Sequence, residues 1–257
     1  MIDAHIHLQD KRFDADRGDL IKRAQDKGVT AFFCAATRPR DIEQVIGLAQ
    51  RHACIIPFIG THPWFADEYD PEAFDGLLQR YPFAGVGEIG LDTLHGKENQ
   101  EAVFQDQLNA AARLNRPCVI HCVKSFDSAA RILKQAKKLP PALLFHGFSG
   151  TKQQADFLMR YNAYFSFSGS VLSDRKTKAR ELLLTLPADR ILAETDAPDM
   201  RPPDRFCANP DEKRNIPENL CLIIRGIAAI KNSGESSFDA VLNQNAQRFL
   251  SGLKHDQ

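Results

Sequence analysis

Asp3-Ala4-His5-Ile6-His7 stands at the start of this 257-residue chain. Side chains alternate across an extended strand, so His5 and His7 project to one side with Asp3 behind them, and two imidazoles so placed can share one metal ion. A lone His-x-His is short and common, and alone it reads more readily as a polar strand end. Further residues change that balance. Thr61-His62-Pro63-Trp64, Gly87-Glu88-Ile89-Gly90-Leu91-Asp92, His121, His146-Gly147-Phe148-Ser149-Gly150 and Glu194-Thr195-Asp196-Ala197-Pro198 each close or follow a short apolar run. Each has an ordinary reading: Glu88 as a helix-start acid, His121 and His146 as satisfied core residues, Asp196 as a turn former before Pro198. Their recurrence at the same place, the end of one apolar run after another, points to one shared metal-binding site.

The elements that must position them follow from periodicity. Apolar strands are expected at residues 1–7, 30–36, 54–60, 83–89, 117–121, 142–146, 164–168 and 191–194. Between them lie helical patterns at 16–27, 39–51, from 70 onward, 100–115, 126–137, 152–161 and 176–184, with two more helices at 217–231 and 238–250. Short buried strands alternating with helices mean parallel βα units, and eight of them are the count of a closed (β/α)8 TIM barrel, slightly irregular, with extra C-terminal helices. Active sites of such barrels lie at the C-terminal ends of the strands, and five of the eight expected strands end in metal-ligand residue types. No Gly/Ser linker or charge block marks a boundary, so residues 1–257 are expected to form one domain. The first strand begins at Met1, which leaves no room for a cleaved leader; the mature chain is expected to start here.

Composition narrows the function. Lys plus Arg and Asp plus Glu both number 33, so no overall positive field exists to hold long nucleic acid, and a polyanion needs a local patch. The longest apolar run, Leu220 to Ile230, is interrupted by Arg225 and falls short of the roughly 20 residues that span a bilayer. A cytoplasmic protein with no membrane partner is expected, with a monomer favoured. The six cysteines lack a Cys-x-x-Cys pair and read as reduced, mostly buried thiols.

Taken together, Asp3-Ala4-His5-Ile6-His7, Gly60-Thr61-His62-Pro63, Gly87 to Asp92, His146 to Gly150, Glu194 to Pro198 and Arg214-Asn215-Ile216-Pro217 resemble the TatD-type metal-dependent deoxyribonucleases of the amidohydrolase superfamily. The resemblance runs nearly the whole chain. It implies one cation held by His5, His7, Glu88 and Asp196, and a second held by Glu88, His121 and His146, with Glu88 bridging. A carboxylate can give one oxygen to each of two cations, and no Lys ends the fourth or fifth strand to take that part. Two cations about 3.5–4 Å apart can activate a water and clamp a phosphoryl oxygen, and Asp196 at the tip of the eighth strand can accept the water's proton. Imidazoles favour zinc; a shared carboxylate and a phosphate substrate also suit magnesium or manganese.

The resemblance therefore implies hydrolysis of DNA phosphodiesters, as a 3′ to 5′ exonuclease acting on nucleic acid ends. Where relatives place an Arg shortly after the fifth-strand His, this chain has Cys122-Val123-Lys124, so the phosphate contact is expected at Lys124. Asn245 to Leu250 only partly matches the usual ending. Substrate contacts are expected from His62 as a phosphate donor, from Lys124 and Arg214 as rim cations and, on equal footing with simple loop packing, from Trp64 as a stacking surface for a base. Arg38 and Arg201 are weaker cases of the same kind. The alternative is hydrolysis of an amide, lactone or ester, including aminoacyl-tRNA, since the same activated water serves acyl transfer. A binding protein on a dead barrel would have lost ligands, and none is missing.

Overall fold

The computed structural model describes residues 1–253; 254–257, the last four of the expected 1–257 domain, lie outside the described residues. Eight strands, β1 (Ile2–Ile6), β2 (Ala31–Ala35), β3 (Ile55–Ile59), β4 (Gly85–Asp92), β5 (Cys118–Val123), β6 (Leu143–Phe145), β7 (Ala163–Phe167) and β8 (Ile191–Ala193), lie in one parallel sheet in sequence order. Helices α1 (Arg17–Asp26), α2 (Ile42–Arg51), α3 (Pro71–Arg80), α4 (Gln100–Leu114), α5 (Phe126–Gln135), α6 (Lys152–Met159) and α7 (Thr177–Thr185) connect them, and α8 (Leu220–Ile230) and α9 (Glu235–Phe249) follow. This is the expected (β/α)8 barrel with C-terminal helices. No helix among the described residues is long and apolar enough to cross a membrane.

Closure comes from two backbone bonds above the strands proper: Asp196 N–H donates to His5 O at 3.0 Å, and His7 N–H to Ala197 O at 2.9 Å. Paired arginines stitch the loops over the same seam. Arg12 spans Asp10 and Asp199, and Arg214 spans Asp16 and Glu212 while also reaching the Arg12 carbonyl.

Two apolar layers show how period-2 alternation aims the site. Ala4, Phe33, Phe58, Val119, Leu144, Tyr164 and Leu192, from seven strands, pack inward together with Phe249 and Leu250 at the end of α9, which plug the bottom of the barrel. Alternate residues such as Phe32, Val86, Ile120, Phe145 and Ile191 face the helices. Counting on by twos from the inner layer leads from Val119 to His121, from Leu144 to His146, and from Leu192 to Glu194; Asp196 lies beyond β8 at a left-handed φ of 57°, held by its N–H bond to His5 O.

Two bulges supply the rest. On β1 the pairing steps from Asp3↔Phe32 to Ile6↔Cys34, and on β4 from Val86↔Cys118 to Ile89↔Ile120, so each strand carries one extra residue. A bulge re-aims a side chain. It lets His5 face inward directly above inward Ala4, and Glu88 face inward beside Gly87, where a Cβ would sit 2.8 Å from inner-layer Val119. The expected end of the fourth strand at Ile89 is too early. The ladder continues through Leu91↔Cys122 and Asp92↔Val123, because Gly90, at φ +146°, lets β4 approach the His121 carbonyl more closely than any side chain would allow.

Candidate metal centre

Glu88 stands at the centre of the upper barrel, buried, with its two oxygens facing different clusters. Oε2 lies 3.3 Å from His5 Nε2 and 3.5 Å from His7 Nε2, and these nitrogens lie 3.7 and 3.6 Å from Asp196 Oδ1. Oε1 lies 2.7 Å from His146 Nε2, 3.0 Å from His121 Nδ1 and 3.3 Å from His62 Nε2. Above them opens a cleft of about 650 Å³ that includes His7, His62, Trp64, Glu88, His121, His146 and Asp196 in its wall.

The donor set fits a cation. His5 is completely buried, yet neither ring nitrogen has an aligned hydrogen-bond partner, although Nε2 comes close to Glu88. Burying such polar atoms unpaired is costly, and a cation at Nε2 relieves part of that cost. Ligands about 2.0–2.2 Å from one zinc-like centre stand roughly 3.3–3.6 Å from each other. The separations at the first cluster, 3.3 to 3.7 Å, bracket that range. The His7 Nδ1–Ala35 O contact, at 2.9 Å, sets the tautomer, with Nδ1 protonated and the Nε2 lone pair turned to the cluster.

Charge is set by the same geometry. Burial works against ionised Glu88, but His146, His62 and His5 outweigh it, and the carboxyl is held well below its ordinary range. Asp196 is likewise lowered, burial being overcome by its bond to His7 and by the other imidazoles. Burial opposes charge on His146 and His7, yet the carboxylates raise His146 to about 10 and His7 to about 9. His5, where burial dominates, falls to about 4.

His62 is a donor by its surroundings. The Trp64 backbone N–H points into His62 Nδ1 at 3.2 Å, so the proton of the neutral ring sits on Nε2, facing Glu88 and the cleft. Burial pushes the ring's pKa down and keeps it neutral. That tautomer offers a hydrogen bond, not a lone pair, to what lies in the site.

The structure thus brings together His5, His7, His62, Trp64, Glu88, His121, His146 and Asp196. Lys124 and Arg214 lie outside the cleft wall. Lys124 is exposed beyond the end of β5. Arg214 is committed to the loop seam, held by Asp16, Glu212 and the Arg12 carbonyl, with its guanidinium over Phe13. Arg201 is similarly engaged by Asp204 and two backbone carbonyls, whereas Arg38 lines the cleft, stacks on Phe65 and pairs with Glu68.

Sequence reasoning quoted three buried carboxylates within its motifs but gave them no role in the site. Asp3 accepts from Thr195 N and Oγ1 at 2.9 and 2.6 Å, pinning the segment after β8 that carries Asp196. Glu194 accepts from Gly147 N at 2.8 Å and from Ser166 Oγ, beneath His146. Asp92 contacts both His121 and Trp64. Their sequence signal was position: Asp3 precedes His5 on β1, Glu194 directly follows β8 two residues before Asp196, and Asp92 ends the strand that bears Glu88.

Residues 2–251 match the family model described as TatD related DNase. The chain belongs to that family. Among TatD relatives, the 3′-5′ ssDNA/RNA exonuclease TatD of Citrobacter koseri is 34% identical over 239 residues, covering 89% of this chain and 90% of its own. The exonuclease of the same name from Escherichia coli K12 is 32% identical over 236 residues with the same coverage. The crystal structure of YjjV, a TatD homolog from Escherichia coli K12, superposes with a TM-score of 0.88 at 26% identity over 98% of both chains. The TatD family is one of metal-dependent hydrolases, in accord with the His, Glu and Asp groups able to hold a metal here.

Proposed function

We propose that this chain is a 3′ to 5′ exonuclease that hydrolyses phosphodiester bonds at the ends of single-stranded DNA. In this reading residues 1–257 form one barrel domain with two divalent cations, zinc, manganese or magnesium. One sits on His5, His7, Glu88 and Asp196 and the other on Glu88, His121 and His146. The observation that carries the reading is the Glu88 carboxylate, whose two oxygens serve two separate clusters at the floor of one cleft. The relatives' names as ssDNA/RNA exonucleases support the substrate class.

Bound there, the cations supply Lewis acidity toward the phosphoryl group and make a water acidic enough to attack near neutral pH. Glu88, ionised throughout the working range, holds both clusters in register. Asp196, also held ionised, takes the proton of the attacking water. His62 donates its Nε2 proton to a non-bridging phosphate oxygen, and Trp64, 43% exposed, offers a flat face to the terminal base. Lys11, Arg12, Arg38 and Arg40 line the outer cleft among Asp10, Asp14, Asp41 and Asp199. Arg12 and Arg38 are held closely by carboxylates, whereas Lys11 and Arg40, the latter 4.0 Å from Asp41 and largely exposed, are the cations left to meet the strand's phosphates. So balanced a wall suits a short strand end better than a duplex.

The test is a 5′-labelled single-stranded oligonucleotide incubated with metal-stripped protein and each cation in turn. Products that shorten stepwise from the 3′ end are expected. Intact oligonucleotide with every cation, together with turnover of an ester, lactone or amide in the same panel, would replace this reading with acyl hydrolysis.

A further inference from the structure

Asp92 ends β4 almost completely buried, and four N–H groups converge on its carboxylate. Oδ1 accepts from Leu94 N at 2.8 Å and His95 N at 3.1 Å. Oδ2 accepts from Trp64 Nε1 at 2.7 Å and lies 3.2 Å from His121 Nε2. The indole and the two backbone groups can only donate, so the carboxylate is ionised and accepts from His121 as well. The proton on His121 therefore sits on Nε2. Its Nδ1 lone pair is left facing Glu88 Oε1 at 3.0 Å and His146 Nε2 at 3.2 Å.

We infer that Asp92 is a positioning residue that joins the Glu88–His121–His146 cluster to the aromatic wall of the cleft. One carboxylate oxygen decides which His121 nitrogen is presented to a cation and, at the same time, fixes the Trp64 ring. A cation at His121 Nδ1 draws electron density from the ring and makes Nε2–H the stronger donor, which then competes with the indole N–H for the same oxygen. Filling the cluster changes the surroundings of Trp64. That Trp64 meets a substrate base rests on the proposed function; the hold of Asp92 on His121 does not.

Substitution by Asn separates this role from mere loop support. An Asn side chain can keep its oxygen on Leu94 N and His95 N, but it then turns an NH2 group toward His121 and Trp64. His121 must answer with a lone pair on Nε2, which moves its proton to Nδ1, where the cation needs none. Trp64 is the only Trp in the chain, so its emission reports on this one place.

The experiment titrates metal-stripped wild type, Asp92→Asn, Trp64→Phe and His146→Ala with Mn2+, by calorimetry for all four and by tryptophan emission where Trp64 is present. Wild type is expected to show two classes of site, with emission following the class that His146→Ala removes. Asp92→Asn should weaken that class about 10- to 100-fold and abolish the emission change, leaving the other class within a few-fold. Trp64→Phe should keep both classes, showing that loss of the ring alone does not cause the weakening. Equal weakening of both classes in Asp92→Asn, or of neither, overturns the inference. Wild-type emission that stays flat as the His146-dependent class fills also overturns it, and decides the matter if Asp92→Asn does not fold. No substrate enters these titrations, so a chain that passes them yet leaves oligonucleotides intact would refute the nuclease reading alone.

Discussion

At Glu88 two requirements meet in one side chain, since one oxygen faces His5 and His7 and the other faces His121 and His146. Glu88→Ala is therefore expected to abolish both classes of cation site, and metal analysis that finds either one at wild-type occupancy would end the bridging role. Asp196 faces only the His5 and His7 side. Asp196→Asn keeps the shape and removes the basicity, so a fall in kcat of about 10²–10⁴-fold is expected while the His121 and His146 cluster still binds its cation. Turnover within a few-fold of wild type would assign the proton to another group. For Arg214 the expectation is the reverse. Its partners are Asp16, Glu212 and a carbonyl, so Arg214→Ala should cost roughly 1–3 kcal/mol of stability with little change in KM for an oligonucleotide. A large KM effect without loss of stability would return Arg214 to the substrate.

At the scale of the element, the β4–β5 pair is where position is won. Glu88 and Asp92 lie on one strand and His121 on the other, and Gly90 allows the close approach between them. A Cβ there would stand 1.9 Å from the His121 carbonyl oxygen, at a φ that side chains rarely adopt. Gly90→Ala should therefore cost more than the ~1–3 kcal/mol usual for overpacking. Gly76 in α3 has nothing within 4 Å of the corresponding position, and Gly76→Ala is expected to stabilise by about 0.4–1 kcal/mol. Urea denaturation of the two variants decides: equal midpoints would refute the close-approach argument.

At the scale of the whole molecule, cation loading and fold stability are linked through protons. Without cations, His7 and His146 hold protons to about pH 9 and 10, against 6.5 for the free side chain. A raised folded pKa contributes stability that is complete below about pH 6.5 and is lost as pH climbs through 9 to 10. The depressed Glu88 has the opposite sign, but its window lies at acid pH, below the ordinary carboxylate range. Cations must displace the imidazole protons, so their affinity rises over the span in which the cation-free protein weakens. Scanning calorimetry from pH 6.5 to 9 should show the metal-stripped Tm falling and the gain from added Mn2+ growing. At a hundredfold excess over Kd that gain is about 2.7 kcal/mol, or roughly 5–10 °C for a chain of this size. A gain independent of pH would exclude those two protons from the linkage.

The barrel was legible in the sequence because it depends on local rules: apolar runs of strand length alternate with amphipathic helices. Metal-ligand residue types recurring at the strand ends pointed to a shared site, and the resemblance to the TatD-type enzymes implied His5, His7, Glu88, His121, His146 and Asp196 as its ligands. Tertiary structure alone decided what depends on distance between segments far apart in the chain. The bulges at His5 and Glu88 appear only when β1 is paired with β2 and β4 with β5, because an extra residue has meaning only against a partner strand. Arg214 and Lys124 looked alike as rim cations; 198 residues separate Arg214 from the Asp16 carboxylate that holds it. Asp92 stood within a named motif, yet its meeting with Trp64 and His121 required the end of β4, the end of β5 and the segment after β3 to converge, and only the closed barrel makes them do so.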